Sequence, residues 1–384
     1  MRISNSGANK YLGCGASYKL HYVDKWRSKF KSSALFFGTA IDAACNYLLE
    51  NLNGDNNLSK AIAIFESNWE QQIDKDTKEA IDLPKNPFIK YFKSDFDLEL
   101  LTEEDLTRLE YKSIPDLVSF RHGVDEKLKN GGAFSLEEMG EYNYMNWLCL
   151  LHKGRLMVEA YHREILPKFK RVLALQKPIS VSFTDDRTNE TDEISGIAEF
   201  VAELQDGTIC LVDNKTAGTP YTPDSVSKSQ QLALYKSILN ILAENKADGW
   251  ETKIDKCAYA VVSKKVVKTT TKTCLKCGNV ATSSHKTCNS TNTNSGKRCD
   301  GQWDEKVTFN TPTQFIIDNI SDEFGQSVLE NMVNITRAVK NNIFPKNYER
   351  CYNDYGGVCP YIGICHKKGK PSDDLFQLEE VKNG

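Results

Sequence analysis

The sequence predicts an α/β fold, a mixed central sheet flanked by helices, because strand-like and helix-like segments alternate along its second half. Three short segments rich in strand formers lie between residues 179 and 216, separated by turn signals, and predict a meander of about three strands. Apolar residues recur at three and four residues in the segments expected to be helices, which bury one face. The predicted helices cover 30–50, 144–169 and 228–244, and one long or broken helix is predicted over 315–343. Further strands are predicted over 256–265 and 303–312.

Composition is that of an ordinary globular protein, with 40% apolar and 26% charged residues in a chain of 384. No apolar stretch suggests a membrane span, and the N-terminal residues do not resemble a secretory signal, so we expect a cytoplasmic protein without membrane contact. The net charge of -3 gives no global basic footprint, so any contact with nucleic acid must depend on local patches.

Twelve cysteines in a chain expected to be cytoplasmic predict metal ligands or buried thiols rather than disulfides. Four of them stand singly among apolar residues, which favours simple core packing. These four are Cys45, Cys149, Cys210 and Cys257.

The most informative segment is a predicted hairpin with Glu199 on one strand and Asp213 and Lys215 on the next. One residue separates Asp213 from Lys215, so on a strand both side chains project from the same face. Carboxylates so arranged can hold a hard divalent ion that activates water, and a nearby lysine can position that water. A D-x-K pair alone is typical of solvated strand surface, but this one follows an apolar run, where burial without a metal or partner is costly.

The helix predicted after this hairpin carries Gln231 and Tyr235, which lie four residues apart and therefore share one face. A Q-x-x-x-Y pair by itself is typical of ordinary helix surface and core. The ordered set of carboxylates, lysine, glutamine and tyrosine is much less expected by chance.

In this order the motifs resemble the RecB-like branch of the PD-(D/E)XK nucleases, which includes phage exonucleases and the iron-sulfur nucleases of CRISPR adaptation. That family has G-x-x-x-H on an upstream helix, then G-x-x-D, D-x-K-T and Q-x-x-x-Y. The corresponding segments here are Gly38 to Asp42, Gly196 to Glu199, Asp213 to Thr216 and Gln231 to Tyr235. The resemblance implies a restriction-endonuclease-like core and a catalytic site, in which Gln231 and Tyr235 bind or orient DNA.

By this resemblance Asp42, Glu199 and Asp213 would bind Mg²⁺ or Mn²⁺, and Lys215 would assist the attacking water. Asp42 stands where the family commonly has histidine, and Glu199 stands where it commonly has aspartate. Asp42 makes the site more anionic and harder, which suits Mg²⁺ or Mn²⁺ with oxygen ligands. Because Glu199 is one methylene longer than aspartate, the ion must lie slightly farther from the strand or the backbone must shift. The alternative for Asp42 is a solvent-facing helix residue.

Three cysteines cluster near the C-terminus, and the resemblance pairs such a trio with one cysteine near the N-terminus to ligate a 4Fe-4S cluster. The four residues here are Cys14, Cys351, Cys359 and Cys365. Alternatively, Cys14 is core and the trio binds zinc or nothing. A cluster would clamp the chain ends and merge two basic runs into a phosphate-binding patch, although solvated surface charge explains them equally well. These runs contain Lys19, Lys25, Arg27, Lys29 and Lys31, and Lys367, Lys368 and Lys370.

A polar insertion between residues 269 and 301 resembles a zinc ribbon, with Cys274 and Cys277 in a C-x-x-C knuckle followed by Cys288 and Cys299. The second pair is widely spaced, so His285 could replace Cys288 as a ligand. The insertion has almost no apolar residues, and without metal it could not bury enough surface to stay ordered.

The predicted organisation has five parts. They are an N-terminal helical region with the first iron-sulfur cysteine (1–175), a nuclease core (176–268), a zinc-ribbon-like insertion (269–301), a core strand and long helix (302–345) and a C-terminal iron-sulfur segment (346–384).

The function implied by the resemblance is a metal-dependent deoxyribonuclease, an exonuclease on single-stranded or free-ended DNA in recombination, repair or phage DNA metabolism. A recombination or replication protein is the further partner we expect. Two alternatives stay open: a nucleic-acid-binding module whose nuclease site has decayed, and a zinc-dependent regulator in which Lys215 is dispensable.

Overall fold

The computed structural model describes residues 1–54, 57–73, 79–91, 97–130, 135–281, 287–288, 290, 298–352, 359–367 and 376–378. The helices are α1 (Asn5–Gly13), α2 (Gly15–Tyr18), α3 (Ser33–Glu50), α4 (Leu58–Glu70), α5 (Glu103–Arg108), α6 (Ile114–Lys129), α7 (Leu136–Ala160), α8 (Gln230–Glu244), α9 (Asp322–Lys340) and α10 (Ile362–Lys367). The strands are β1 (Arg2–Ser4), β2 (Trp26–Ser28), β3 (Lys31–Ser32), β4 (Gln71–Ile73), β5 (Ala80–Asp82), β6 (Ile89–Lys90), β7 (Phe169–Asp185), β8 (Glu190–Leu204), β9 (Ile209–Ala217), β10 (Lys256–Ser263), β11 (Val267–Cys274), β12 (Val280–Ala281), β13 (Trp303–Asn310), β14 (Thr313–Asp318) and β15 (Phe376–Leu378).

A six-stranded mixed sheet forms the centre of the molecule, in the order β1-β8-β9-β10-β14, with β7 along the other edge of β8. β7, β8 and β9 are consecutive and antiparallel, as the predicted meander requires. β10 returns parallel to β9 after α8, and β14 pairs antiparallel to β10. The predicted mixed α/β architecture is therefore confirmed.

One edge of β8 changes neighbour along its length. β1 pairs in parallel with Glu193, Ile194 and Ser195, whereas β9 pairs with β8 only from Phe200 to Glu203. Between these two ladders β8 and β9 diverge, and the stretch from Gly196 to Glu199 pairs with neither β1 nor β9. We call this opening the fork.

Two apolar cores lie on opposite faces of the sheet because successive side chains of a strand point to opposite sides. One core packs Val212 and Phe200 against α3, α4 and α7, and the other packs Leu211 and Val201 against α8 and α9. The four cysteines that stand singly among apolar residues are each exposed to 1% or less. The prediction that they pack in the core is confirmed.

The segment 315–343, predicted as one long or broken helix, begins with a strand, which corrects the sequence prediction. Its first residues belong to β14, and α9 begins only at Asp322, where the Ser321 hydroxyl accepts a hydrogen bond from Phe324 N–H. The apolar run Phe315 to Ile317 is too short to show a helical or strand periodicity. Its pairing with β10, which is distant in sequence, makes it a strand.

The cysteine-bearing insertion forms a separate three-stranded antiparallel sheet in the order β12-β11-β13. The two ends of the chain also meet. β2 pairs with β15, and the Tyr361 hydroxyl donates to the Trp26 carbonyl at 2.8 Å. No helix within the described ranges is long and apolar enough to cross a membrane.

Candidate active site and metal centres

The fork brings Glu199 and Asp213 together. The β8–β9 ladder ends where Phe200 faces Val212, so Glu199 and Asp213 are the first residues beyond its last pair. The Asn214 N–H, which has no β8 backbone partner in that ladder, donates instead to Glu199 Oε2 at 2.9 Å. This bond holds the glutamate side chain across the opening between the strands.

The acidic groups of the fork affect one another electrostatically, as the pKa of Glu199 shows. Burial raises the pKa of Glu199 well above its usual range, and the neighbouring Asp213 and Asp42 carboxylates raise it further. Two like charges at one buried site cannot both ionise cheaply. The fork therefore either retains a proton or takes up a cation.

Lys215 supplies one positive charge to this site. Its ammonium lies 2.5 Å from Asp213 Oδ2, as expected for two residues on the same face of a strand. Burial alone would lower the pKa of Lys215, but the Asp213 and Glu199 carboxylates outweigh it and raise the pKa above its ordinary value. Lys215 therefore stays charged at any ordinary pH.

Asp42 approaches from the other side, on α3. Asp42 is half-buried, and its charge contributes to the raised pKa values of both Glu199 and the buried Cys45 thiol. However, the three carboxylates do not close into a ligand sphere. Among the described residues, a group of three or more potential ligands lying within 4.8 Å of one another occurs only at four cysteines.

Several buried polar atoms at the fork fit a hydrated divalent ion. Glu199 Oε1 and both amide atoms of Asn214 are buried, and the described residues offer them no hydrogen-bond partner of good geometry. Such atoms are costly unless water or an ion satisfies them. Glu199 and Asp213, with Asp42 nearby, would hold the ion as a hard oxygen set, whereas Lys215 now fills the place beside Asp213.

Tyr235 packs directly on the fork from α8. A Cβ at Gly196 would lie 2.4 Å from Tyr235 Cε1, so only glycine leaves room for the ring. Burial raises the pKa of Tyr235 and Asp213 raises it further, whereas hydrogen bonds with the Ile197 backbone and the Gln231 side chain lower it. The structure thus places both predicted helix residues, Gln231 and Tyr235, beside the carboxylates.

Sequence reasoning missed two further residues at the fork, Asn214 and Tyr161. Asn214 lies between the two motif residues and acts through its backbone N–H, which no side-chain pattern reveals. Tyr161 is fully buried, and Glu199 and Asp42 contribute to its raised pKa after burial itself. In the sequence it looks like one more apolar position at the end of a helical pattern.

The second centre is the group of Cys274, Cys277, Cys288 and Cys299. Their sulfurs all lie within 4.8 Å of one another, with separations of 3.6 Å for Cys274 to Cys299 and 3.7 Å for Cys277 to Cys288. Tetrahedral zinc with Zn–S bonds of about 2.3 Å separates its sulfurs by about 3.8 Å, so the four thiols can bind one such ion.

The local backbone explains this convergence. Cys274 ends β11, and the turn that follows closes with a 2.9 Å bond from Gly278 N–H to the Cys274 carbonyl, with Gly278 at φ +70°. A Cβ at Gly301 would lie 2.6 Å from Cys274 Sγ, so glycine is required there too. The Ser290 hydroxyl and the Asn279 N–H lower the pKa of Cys277 to about 6. His285 lies outside the described residues.

The third set, Cys14, Cys351, Cys359 and Cys365, is assembled from both chain ends. Burial raises the pKa of Cys359 and of Cys365, and the neighbouring thiols of this set raise both further. Unlike the ribbon cysteines, no three of these sulfurs lie within 4.8 Å of one another.

The predicted basic patch is smaller than its sequence suggests. Arg27 is only 6% exposed and donates to the His21 carbonyl, and Lys19 is paired with Asp24 at 2.8 Å. Lys368 and Lys370 lie outside the described residues. The rest of the patch remains a prediction.

Fold and sites together define a mixed α/β protein with one four-cysteine group that could bind a metal ion. No family model matches the chain. No curated protein matches it significantly either.

Proposed function

We propose that this protein is a divalent-metal-dependent deoxyribonuclease of the RecB-like PD-(D/E)XK type. The observation that carries the proposal is the fork, where the half-buried Glu199 meets the buried Asp213, with the charged Lys215 ammonium 2.5 Å from Asp213. A structural salt bridge needs one carboxylate for one lysine. The further carboxylates, Glu199 and Asp42, create a negative excess that a divalent ion would neutralise.

The residues divide the work of phosphodiester hydrolysis. A bound Mg²⁺ or Mn²⁺ supplies Lewis acidity and lowers the pKa of water. Glu199, Asp213 and Asp42 would hold that ion, and Lys215 would orient the attacking water and offset charge on the phosphate. Tyr235 and Gln231 orient the DNA at the mouth of the fork.

The proposed substrate is single-stranded or free-ended DNA, and exonuclease action in recombination, repair or phage DNA metabolism follows from the resemblance of the motifs. The same resemblance suggests a recombination or replication protein as a partner. We also propose a cytoplasmic location, because metal-binding thiolates need reducing conditions.

For the cysteine centres we propose zinc at Cys274, Cys277, Cys288 and Cys299, and a 4Fe-4S cluster at Cys14, Cys351, Cys359 and Cys365. The Asn347 N–H points at Cys14 Sγ at 3.5 Å, and N–H donors of this kind stabilise cluster thiolates. Both centres would be structural, because ligand assembly of this kind is coupled to folding.

The test is cleavage of end-labelled linear DNA in Mg²⁺ or Mn²⁺. We expect the parent to degrade the strand, and Lys215→Ala and Asp213→Asn to lose at least about a hundredfold in rate. Lys253→Ala is the matched control, because this exposed lysine pairs with Glu244, the last residue of α8. Equal rates in the parent and Lys215→Ala would remove catalysis from this site.

The second candidate, a DNA-binding module with a decayed nuclease site, is favoured by one observation. The three carboxylates are not within ligand distance of one another, and Lys215 occupies the position beside Asp213. This candidate predicts DNA retention without cleavage in the parent and in Lys215→Ala alike.

A further inference from the structure

Tyr221 lies in the loop between β9 and α8, beside the proposed active site. Its neighbours Pro220 and Thr222 are exposed, and Tyr221 itself is half-buried, so part of its side chain faces solvent. The loop begins immediately after the strand that carries Asp213 and Lys215. Tyr221 is therefore an aromatic residue near the fork that the proposed chemistry does not use.

The backbone of Tyr221 is held in place by one side chain of β14. The Tyr221 N–H donates to Gln314 Oε1 at 2.9 Å, and Gln314 Nε2 donates to the Tyr221 carbonyl at 3.1 Å. This two-point clamp fixes the residue before any ligand binds. An aromatic side chain that is already ordered loses little conformational entropy on binding.

The Tyr221 ring is also oriented toward the fork. It meets the Tyr259 ring edge-on, with centroids 5.2 Å apart at 85°, and the Lys215 ammonium lies 5.8 Å from the same Tyr259 ring. Tyr259 is fixed in turn by a 2.6 Å bond from its hydroxyl to Ser229 Oγ.

We propose that Tyr221 is a stacking residue for an unpaired nucleobase next to the phosphate held at Lys215. The inference rests on the proposed nuclease function and gives it a substrate class, single-stranded DNA. A base in a duplex has both faces covered by its neighbours, whereas an unpaired base offers a face to a fixed aromatic ring. Tyr221 is a positioning residue, because the scissile phosphate reacts at the fork and not at the ring.

The test compares Tyr221→Ala and Tyr221→Phe with the parent on two labelled strands, oligothymidine and an abasic strand of equal length. Binding is measured without added divalent ion, so that the strands stay intact, and cleavage of oligothymidine is then measured with Mg²⁺ or Mn²⁺. Tyr111→Ala is the matched control, because this tyrosine also packs on one aromatic neighbour, Phe120.

We expect Tyr221→Ala to weaken oligothymidine binding by about ten- to a hundredfold, the range of one base–aromatic stack. Tyr221→Phe keeps the ring and should bind within about twofold of the parent, and all variants should bind the abasic strand alike. In cleavage, Tyr221→Ala should raise KM far more than it changes kcat. Tyr111→Ala should match the parent throughout.

If Tyr221→Ala loses equal binding affinity for both strands, Tyr221 only supports Tyr259 and the loop, and the proposal is overturned. Unchanged affinity for both strands would overturn it as well. If the parent cleaves oligothymidine and Tyr221→Ala binds and cleaves it equally well, the stacking role of Tyr221 is refuted and the nuclease function is not. A parent that neither binds nor cleaves refutes the nuclease function together with this inference.

Discussion

At the scale of single residues, the contact between Gly196 and Tyr235 fixes α8 against the fork. Because a Cβ at position 196 would lie 2.4 Å from the ring, Gly196→Ala must push Tyr235 away. We predict a loss of about 1–3 kcal/mol in the free energy of unfolding, as for other overpacked sites, measured by urea denaturation.

Gly38→Ala is the control for this prediction. Its new Cβ would meet only Thr216 Oγ1, at 3.9 Å, and alanine favours a helix over glycine. The variant should be as stable as the parent or slightly more so. Comparable losses in both variants would mean that the packing of Tyr235 is not the cause.

Sequence alone predicts part of this site well. The period of two along a strand places Asp213 and Lys215 on one face, and the observed ion pair between them agrees. The roles of Asn214 and Tyr161 could not be predicted, because they depend on where the β8–β9 ladder ends and on how a distant helix covers it. The same limit applies to Tyr221, whose position depends on Gln314 from a strand far along the chain.

At the scale of secondary-structure elements, α4 and α7 pack closely where Gly154 meets Phe65. A Cβ at Gly154 would lie 1.9 Å from Phe65 Cζ, inside the fully buried core. We predict that Gly154→Ala lowers the free energy of unfolding by at least about 1–3 kcal/mol, which would appear as a lower midpoint of urea denaturation. Gly123→Ala, on α6 with nothing within 4 Å of its Cβ, should gain up to about 1 kcal/mol instead.

The contact between β7 and α9 gives a prediction about pH. Arg337 makes two 3.0 Å hydrogen bonds to the Asp185 carboxylate, and these bonds, with the Arg187 N–H, lower the pKa of Asp185 to about 2. In the unfolded chain this pKa is about 3.9, so the ion pair stabilises the fold above about pH 4 and is lost toward pH 2.

Arg337→Gln should therefore have a lower Tm than the parent at pH 5 to 7, and the difference should shrink as the pH falls from about 4 to 2. Melting curves across this pH range provide the measurement. Lys253→Gln, which breaks an exposed pair with Glu244, should show almost no difference at any pH. A constant difference for Arg337→Gln down to pH 2 would rule out this ion pair as the source.

Element prediction succeeded where period and length were clear, as for α3, α7, α8 and the β7 to β9 meander. It was wrong for β14, because an apolar run of three or four residues fits a strand or a helix equally well. β14 becomes a strand only because β10 offers it an antiparallel partner with six paired positions.

At the scale of the whole molecule, the α/β class was predictable from the alternation of segments, whereas the meeting of the chain ends was not. β1 pairs in parallel with β8, and β2 pairs antiparallel with β15. Both pairings join residues that are far apart in sequence. No local pattern carries this information. The cysteine pattern indicated both clusters, but only the folded chain distinguishes a compact set from a wide one.

The proposed zinc and iron-sulfur sites predict different metals at the two cysteine sets. Anaerobically purified parent should contain about one zinc per chain and show the broad visible absorbance of a 4Fe-4S cluster. Cys277→Ser should lose zinc and keep the absorbance, and Cys359→Ser should do the reverse. Cys257→Ser, in the apolar core, should change neither metal. A colourless parent with zinc in both sets would contradict the iron-sulfur assignment.

We propose that the fork between β8 and β9 holds one catalytic divalent ion, and Mn²⁺ binding can be measured by electron paramagnetic resonance. With both cysteine sets already occupied, the parent should bind one Mn²⁺ that competes with Mg²⁺, and Glu199→Gln and Asp213→Asn should each lose it. A parent that binds no Mn²⁺, or a Glu199→Gln variant that binds it as tightly as the parent, would show that the fork is not a divalent-ion site.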